Sequence, residues 1–133
     1  DLPNVNYDKT VIPFVQANMP AGTHWDLMAS VDGWSNAVFW AENSGPEAYG
    51  TVASPVPSIK VDSSTGAIKL RFEASLFGKT KDIAGAKLYI TTWDYDGVGG
   101  LYRAITEDGG QYAMKGDNPN APLIMDDVLL TIQ

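Results

Sequence analysis

The chain has 133 residues, no cysteine, and 9 basic against 16 acidic residues, giving a formal charge of −7. That is the length of one domain, enough to bury a core without staples, and the missing thiols exclude cysteine catalysis, zinc knuckles and disulfide scaffolds. An acidic surface repels phosphate backbones and anionic lipid, and no apolar run approaches the roughly 20 residues of a membrane span, so nucleic acid and membrane insertion are set aside.

Turn punctuation is dense, with 13 Gly and 8 Pro, and helical periodicity is almost absent. Strands are expected at 10–15, 25–31 and 36–41. The polar stretch Asn43-Ser44-Gly45-Pro46-Glu47 then forms a loop. Next comes the clearest hairpin, Ser58-Ile59-Lys60-Val61-Asp62 turning at Ser63-Ser64-Thr65-Gly66 into Ala67-Ile68-Lys69-Leu70-Arg71-Phe72. Ile68, Leu70 and Phe72 alternate with Lys69 and Arg71, so one face is expected inside and the other wet. One helical turn is expected at Ala74-Ser75-Leu76-Phe77, stopped by Gly78. The segment 86–93 has the β-branched and aromatic content of a central strand, with Lys87, Tyr89, Thr91 and Trp93 on an amphipathic face. Further strands are expected at 101–105 and 123–132, around a polar loop at 115–122. Short strands at fairly even spacing predict an all-β fold, an antiparallel, jelly-roll-like β-sandwich of about eight strands with one short helical turn. A single domain over 1–133 is expected, with no repeat, low-complexity tract or splitting linker.

Standard catalytic signatures are missing, and the chain is read as a non-enzyme. A lone His24 cannot build a histidine metal site, and beside Trp25 it reads as a surface or loop-end histidine. The carboxylates lie mainly in turns, where Asp is favoured for backbone reasons. Asp94-x-Asp96-Gly97 followed by Gly99-Gly100 begins like a calcium loop, but Val98 and the glycines stand where an EF-hand needs its further oxygen ligands. Two readings stay open: a tight turn, which is preferred, and a non-EF calcium site on Asp94 and Asp96 completed by backbone carbonyls. No cofactor is required, and calcium is the one metal considered.

Four Trp and six Tyr exceed what a small sandwich core needs. Flat aromatic faces flanked by polar side chains suit the C–H patches and hydroxyls of sugars. Trp40 reads as core, Trp25 equally as core or surface. Trp34, Trp93 and Tyr95, near strand ends and Gly-rich turns, are expected exposed. With Tyr102 and Arg103 they form the candidate carbohydrate site.

The stretch Leu88-Tyr89-Ile90-Thr91-Thr92-Trp93-Asp94-Tyr95-Asp96-Gly97-Val98-Gly99-Gly100-Leu101-Tyr102-Arg103-Ala104-Ile105 resembles the C-terminal module of glucodextranases and amylopullulanases. That module is a DOMON-like β-sandwich related to family 9 carbohydrate-binding modules, and Ala104 stands where the family has proline. Trp25 to Trp34, Ile68 to Gly78 and Pro122-Leu123-Ile124-Met125-Asp126 resemble further family segments, so the likeness runs from about Asp8 to the C-terminus. It implies a non-catalytic, extracellular or cell-surface module, associated with a polysaccharide-degrading enzyme, that attaches to sugar, with α-glucan favoured.

Modules of this type carry further strands before the position Asp1 matches, and the chain opens without a signal peptide. It therefore reads as processed or cut from something larger. Either a preceding segment or another chain completes the sheet by strand addition, or the remaining strands close a smaller sandwich alone. The first option carries an alternative function, an extracellular assembly subunit. A third reading, from heme-binding DOMON relatives, would use His24 with Met19, Met28, Met114 or Met125 as axial ligands.

Overall fold

The computed structural model describes residues 1–33, 35–78, 80, 82–94, 103–104, 113–114 and 122–133. Among them are eleven strands, one 3-10 turn and no α-helix, and every strand pairing is antiparallel. The all-β architecture follows the alternating sequence.

Strands β1 (Val11–Ile12) and β2 (Ala17–Asn18) form a small hairpin. A continuous strand at 10–15 does not form. Pro13 has no N–H to give a ladder, and Phe14 and Gln16 take φ of 65° and 52°, outside the β region. Strands β3 (Leu27–Val31), β4 (Asn36–Trp40) and β5 (Thr51–Ala53) make one sheet in that order. Trp25 precedes β3 in an isolated bridge with Lys9. β5 is too short to show a period, which is why alternation did not reveal it. At its start Gly50 takes φ of 105°, and a Cβ there would overlap the Trp40 carbonyl oxygen. Only glycine satisfies both conditions.

The pair β6 (Ser58–Asp62) and β7 (Ala67–Arg71) keeps the predicted register, Val61 opposite Ile68 and Ile59 opposite Leu70. Asp62 Oδ1 accepts the Ser64 N–H at 3.0 Å and its hydroxyl at 2.6 Å. These bonds, the hydroxyl's first, hold its carboxyl below the ordinary value and fold the chain back as an Asx turn. The 3-10 turn Ala74–Phe77 follows. Strand β8 (Lys87–Thr92) pairs along its whole length with β11 (Asp126–Thr131). The short β9 (Arg103–Ala104) and β10 (Ala113–Met114) pair with each other.

Two cores result. In one, Val38, Ala53 and Leu76 are buried, with Leu27, Ala29, Trp40, Phe72 and Phe77 packed around them. This is the inner face of β3–β4–β5, closed by the 3-10 turn. In the other, Val15 and Leu123 are buried among Ile12, Ala17 and Ile124; the Leu123 N–H donates to Val15 O at 2.8 Å. Trp25 is 4% exposed and its Nε1 donates to Val11 O at 2.8 Å, which decides its role as core.

The pairs β6–β7 and β8–β11 depart from expectation. The inward face of β6–β7 is open, with Val61 64% and Ile68 66% exposed. On β8 the polar Lys87, Tyr89 and Thr91 are half-buried, whereas Leu88 and Ile90 are exposed, as are Val128 and Leu130 opposite them. A two-stranded ribbon hides an aliphatic face only if another layer lies on it. Among the described residues no such layer covers these two.

Candidate functional site

The β8–β11 ladder sets the position of the Trp93 turn. Beyond the last strand pair the Met125 N–H donates to Thr92 O at 2.8 Å, so the ladder carries the backbone to the foot of Trp93. Trp93 and Asp94 are both half-buried there. Arg103 lies in β9, in register with Met114. Trp34, Tyr95, Tyr102 and the second acidic residue of the calcium motif, Asp96, lie outside the described residues. What frames Trp34 is described: Asp32 Oδ1 accepts the Ser35 N–H at 2.6 Å, and the Asp32 N–H donates to Ser35 O at 2.9 Å. This bend joins β3 to β4.

A second aromatic group was not anticipated. Phe39 and Trp40 are neighbours in β4, so they point to opposite faces of the sheet. Trp40 goes to the core side and Phe39 to the outer side. There Phe39 stacks on Tyr49, with centroids 4.8 Å apart and planes at 13°, and Phe14 tilts against Tyr49 at 4.5 Å. All three rings are half-buried. Period-two alternation through 36–40 could have flagged Phe39. Phe14 and Tyr49 arrive from loops, by way of the Phe14 N–H bond to Pro46 O at 2.8 Å.

The third constellation surrounds His24. Asp26 is wholly buried, and its carboxylate accepts the Leu2 N–H at 2.7 Å on Oδ2 and the Tyr7 N–H at 3.0 Å on Oδ1. These bonds fold the N-terminal segment over the start of β3. The Asp1 amino nitrogen donates to Lys87 O at 3.3 Å, and the Lys87 N–H returns a bond to Asp1 O at 3.0 Å. Burial pulls that amino group below its ordinary value, and the Asp26 charge opposes the shift. His24 Nε2 lies 3.4 Å from Asp1 Oδ1 and 3.8 Å from Asp26 Oδ2. His24 is a loop-end residue beside Trp25, as expected, with its side chain 25% exposed, but its Nε2 is buried and faces two carboxylates. The signal was an Asp beside Trp25 at the head of an apolar strand, and turn propensity does not account for an acid there.

The family described as the C-terminal, SLH-like binding module of glucodextranase matches residues 8–132. No curated protein and no solved structure matches the chain.

Proposed function

Because the chain belongs to the family of C-terminal, SLH-like binding modules of glucodextranase, we propose that it is a non-catalytic carbohydrate-binding module of a polysaccharide-degrading enzyme, working outside the cell or at its surface. The family match over 8–132 carries this reading. The favoured ligand is an α-glucan, and a DOMON-like relationship is part of the same proposal. Trp93 supplies a ring face, with Trp34, Tyr95 and Tyr102 as its partners. Arg103 and nearby carboxylates bond the hydroxyls, and Asp94 with Asp96 forms either a tight turn or a calcium-held one. Half-burial of Trp93 at the end of a fully paired strand supports this, since a sugar platform needs one face packed and one face free. Sugar hydroxyls exchange water bonds for protein bonds of similar worth, so affinity rests on the rings and stays modest.

Affinity electrophoresis in gels containing starch, pullulan, dextran or xylan tests the proposal. Retardation by an α-glucan is expected. A folded protein that runs unretarded in all four gels overturns it.

The exposed aliphatic faces favour a second reading, an extracellular assembly subunit whose sheets are completed by a preceding segment or another chain. Val61, Ile68, Leu88, Ile90, Val128 and Leu130 are each 44–66% exposed, an unusual share of solvent-facing aliphatics for a small domain. Association that rises with concentration supports this reading.

A further inference from the structure

We infer that Asp1, His24 and Asp26 form a binding site for one divalent transition-metal ion, with Zn2+ as its first candidate. The site is independent of the carbohydrate reading and uses none of its residues.

Among the described residues these are the one group of three metal-ligating side chains whose donor atoms converge, all lying within 4.8 Å of one another. Convergence of acids alone would carry little, but this set is mixed, and Asp26 within it is wholly buried. His24 Nε2 is shielded from solvent and makes no hydrogen bond. A charge-assisted N–H···O bond between an imidazolium and a carboxylate closes to about 2.7–2.9 Å along the ring's N–H axis. The observed 3.4 and 3.8 Å are longer. They are what two donors show when both bind one ion through bonds of about 2.0–2.2 Å, since neighbouring donors then stand roughly 3 to 4 Å apart. The separations match shared coordination of one ion.

Electrostatics points the same way. Asp26 is 0% exposed, and among the described residues no Lys or Arg comes within salt-bridge distance of it. Two neutral N–H donors bond it, and the positive group that faces it is the Asp1 ammonium, on which the Asp26 charge acts against the effect of burial. The Asp1 amino group is already bonded to Lys87 O. A divalent ion would balance the two carboxylates, with a neutral imidazole as its third ligand. The two backbone bonds to Asp26 are the kind of outer support that fixes a ligating carboxylate. One nitrogen and two oxygens suit Zn2+, Mn2+ or Ni2+ better than Ca2+, which takes oxygen donors. The Asp1 and His24 side chains are 21% and 25% exposed, so water can reach the remaining coordination positions. Bound there, the ion would tie the N-terminal segment, the head of β3 and, through Asp1, the start of β8.

The test is calorimetric titration of the EDTA-stripped whole chain with ZnCl2, MnCl2 and CaCl2 at neutral pH, with thermal melts and NMR of the His24 ring alongside. One Zn2+ per chain, a higher Tm and a shifted His24 Nε2 resonance are expected. His24→Gln and Asp1→Asn should lose at least about 10–100-fold in affinity, the range already seen for altering outer-shell partners of a ligand, while their metal-free forms melt near the metal-free parent. Asp26→Asn can unfold the chain, so it is not the deciding variant. No saturable Zn2+ uptake, uptake unchanged in His24→Gln, or a ring resonance that Zn2+ leaves unmoved would each overturn the site and leave only an ion pair. Tighter Ca2+ than Zn2+ binding would overturn the ion class. Glucan retardation is read in separate gels with and without EDTA, so failure of the carbohydrate reading is distinguishable from failure of this one.

Discussion

Gly50 and Trp93 show how differently single residues are constrained in this chain. At Gly50 the backbone requires φ of 105° and passes so close to the Trp40 carbonyl that no side chain fits. Gly50→Ala is therefore expected to lose at least about 2 kcal/mol of stability, from strain plus displacement of β4 against β5. A urea midpoint within error of the parent would show that the strand junction yields freely. Trp93 is constrained by function if the carbohydrate proposal holds. Trp93→Ala should weaken glucan retention at least about tenfold, equivalent to about 1.4 kcal/mol, in a chain that still melts cooperatively. Retention that survives the substitution would move the platform elsewhere, and the outer stack of Phe14, Tyr49 and Phe39 is the next surface to mutate.

Elements add properties that no residue has alone. Across β8–β11 the Tyr89 hydroxyl donates to Asp127 Oδ2 at 2.9 Å. Burial first, then this bond and the carboxylate charge, push the phenol up to about 12 from 10.0. The folded form thus holds the Tyr89 proton more tightly than the unfolded form does. The resulting stabilisation is complete below pH 10 and is lost as pH rises from 10 towards 12. A phenolate absorbance titration should show one tyrosine ionising late, and Asp127→Asn should bring it part of the way back, because burial remains. A late transition unaffected by Asp127→Asn would assign it to another tyrosine. The 3-10 turn is held by its single buried residue, Leu76, at 2% exposure against Val38 and Ala53. Leu76→Ala is expected to cost about 2–4 kcal/mol in denaturant unfolding, since the void lies between a sheet and a rigid turn.

At the scale of the whole molecule the unusual feature is the aliphatic face that the described residues leave uncovered on each of two strand pairs, β6–β7 and β8–β11. Such surface stabilises association between chains or with a preceding segment more than it stabilises the isolated chain. Val61→Thr combined with Ile68→Thr keeps β-branching and the register while removing apolar surface. The pair of changes should reduce concentration-dependent association in sedimentation velocity and leave the melting temperature nearly unchanged. A parent chain that stays monomeric at all concentrations would remove the assembly reading.

Local chemistry made much of this legible beforehand. The β6–β7 register followed from Ile and Leu alternating with Lys and Arg and from the Ser-Ser-Thr-Gly turn. β4, β8 and the turn at Leu76 were legible for the same reason, because period and turn propensity act over a few neighbouring residues. The break after Ile12 was hidden, since left-handed backbone at Phe14 and Gln16 is imposed by tertiary packing and not by those residue types. β5 was hidden by its length.

Sequence by itself thus determined the all-β class, most strand positions, the acidic charge and the likeness to a glucodextranase-type module. Tertiary structure decided that Trp25 is core, that Phe39 faces outward to stack on Tyr49, and that the polar side of β8 is the covered one. It also brought Asp1 and His24 to a buried Asp26. Alternation specifies that two faces differ, but which face is covered depends on layers supplied by distant segments. Convergence of side chains far apart in the chain likewise depends on long-range backbone bonds, here those from Leu2 and Tyr7 to Asp26, which no local pattern encodes.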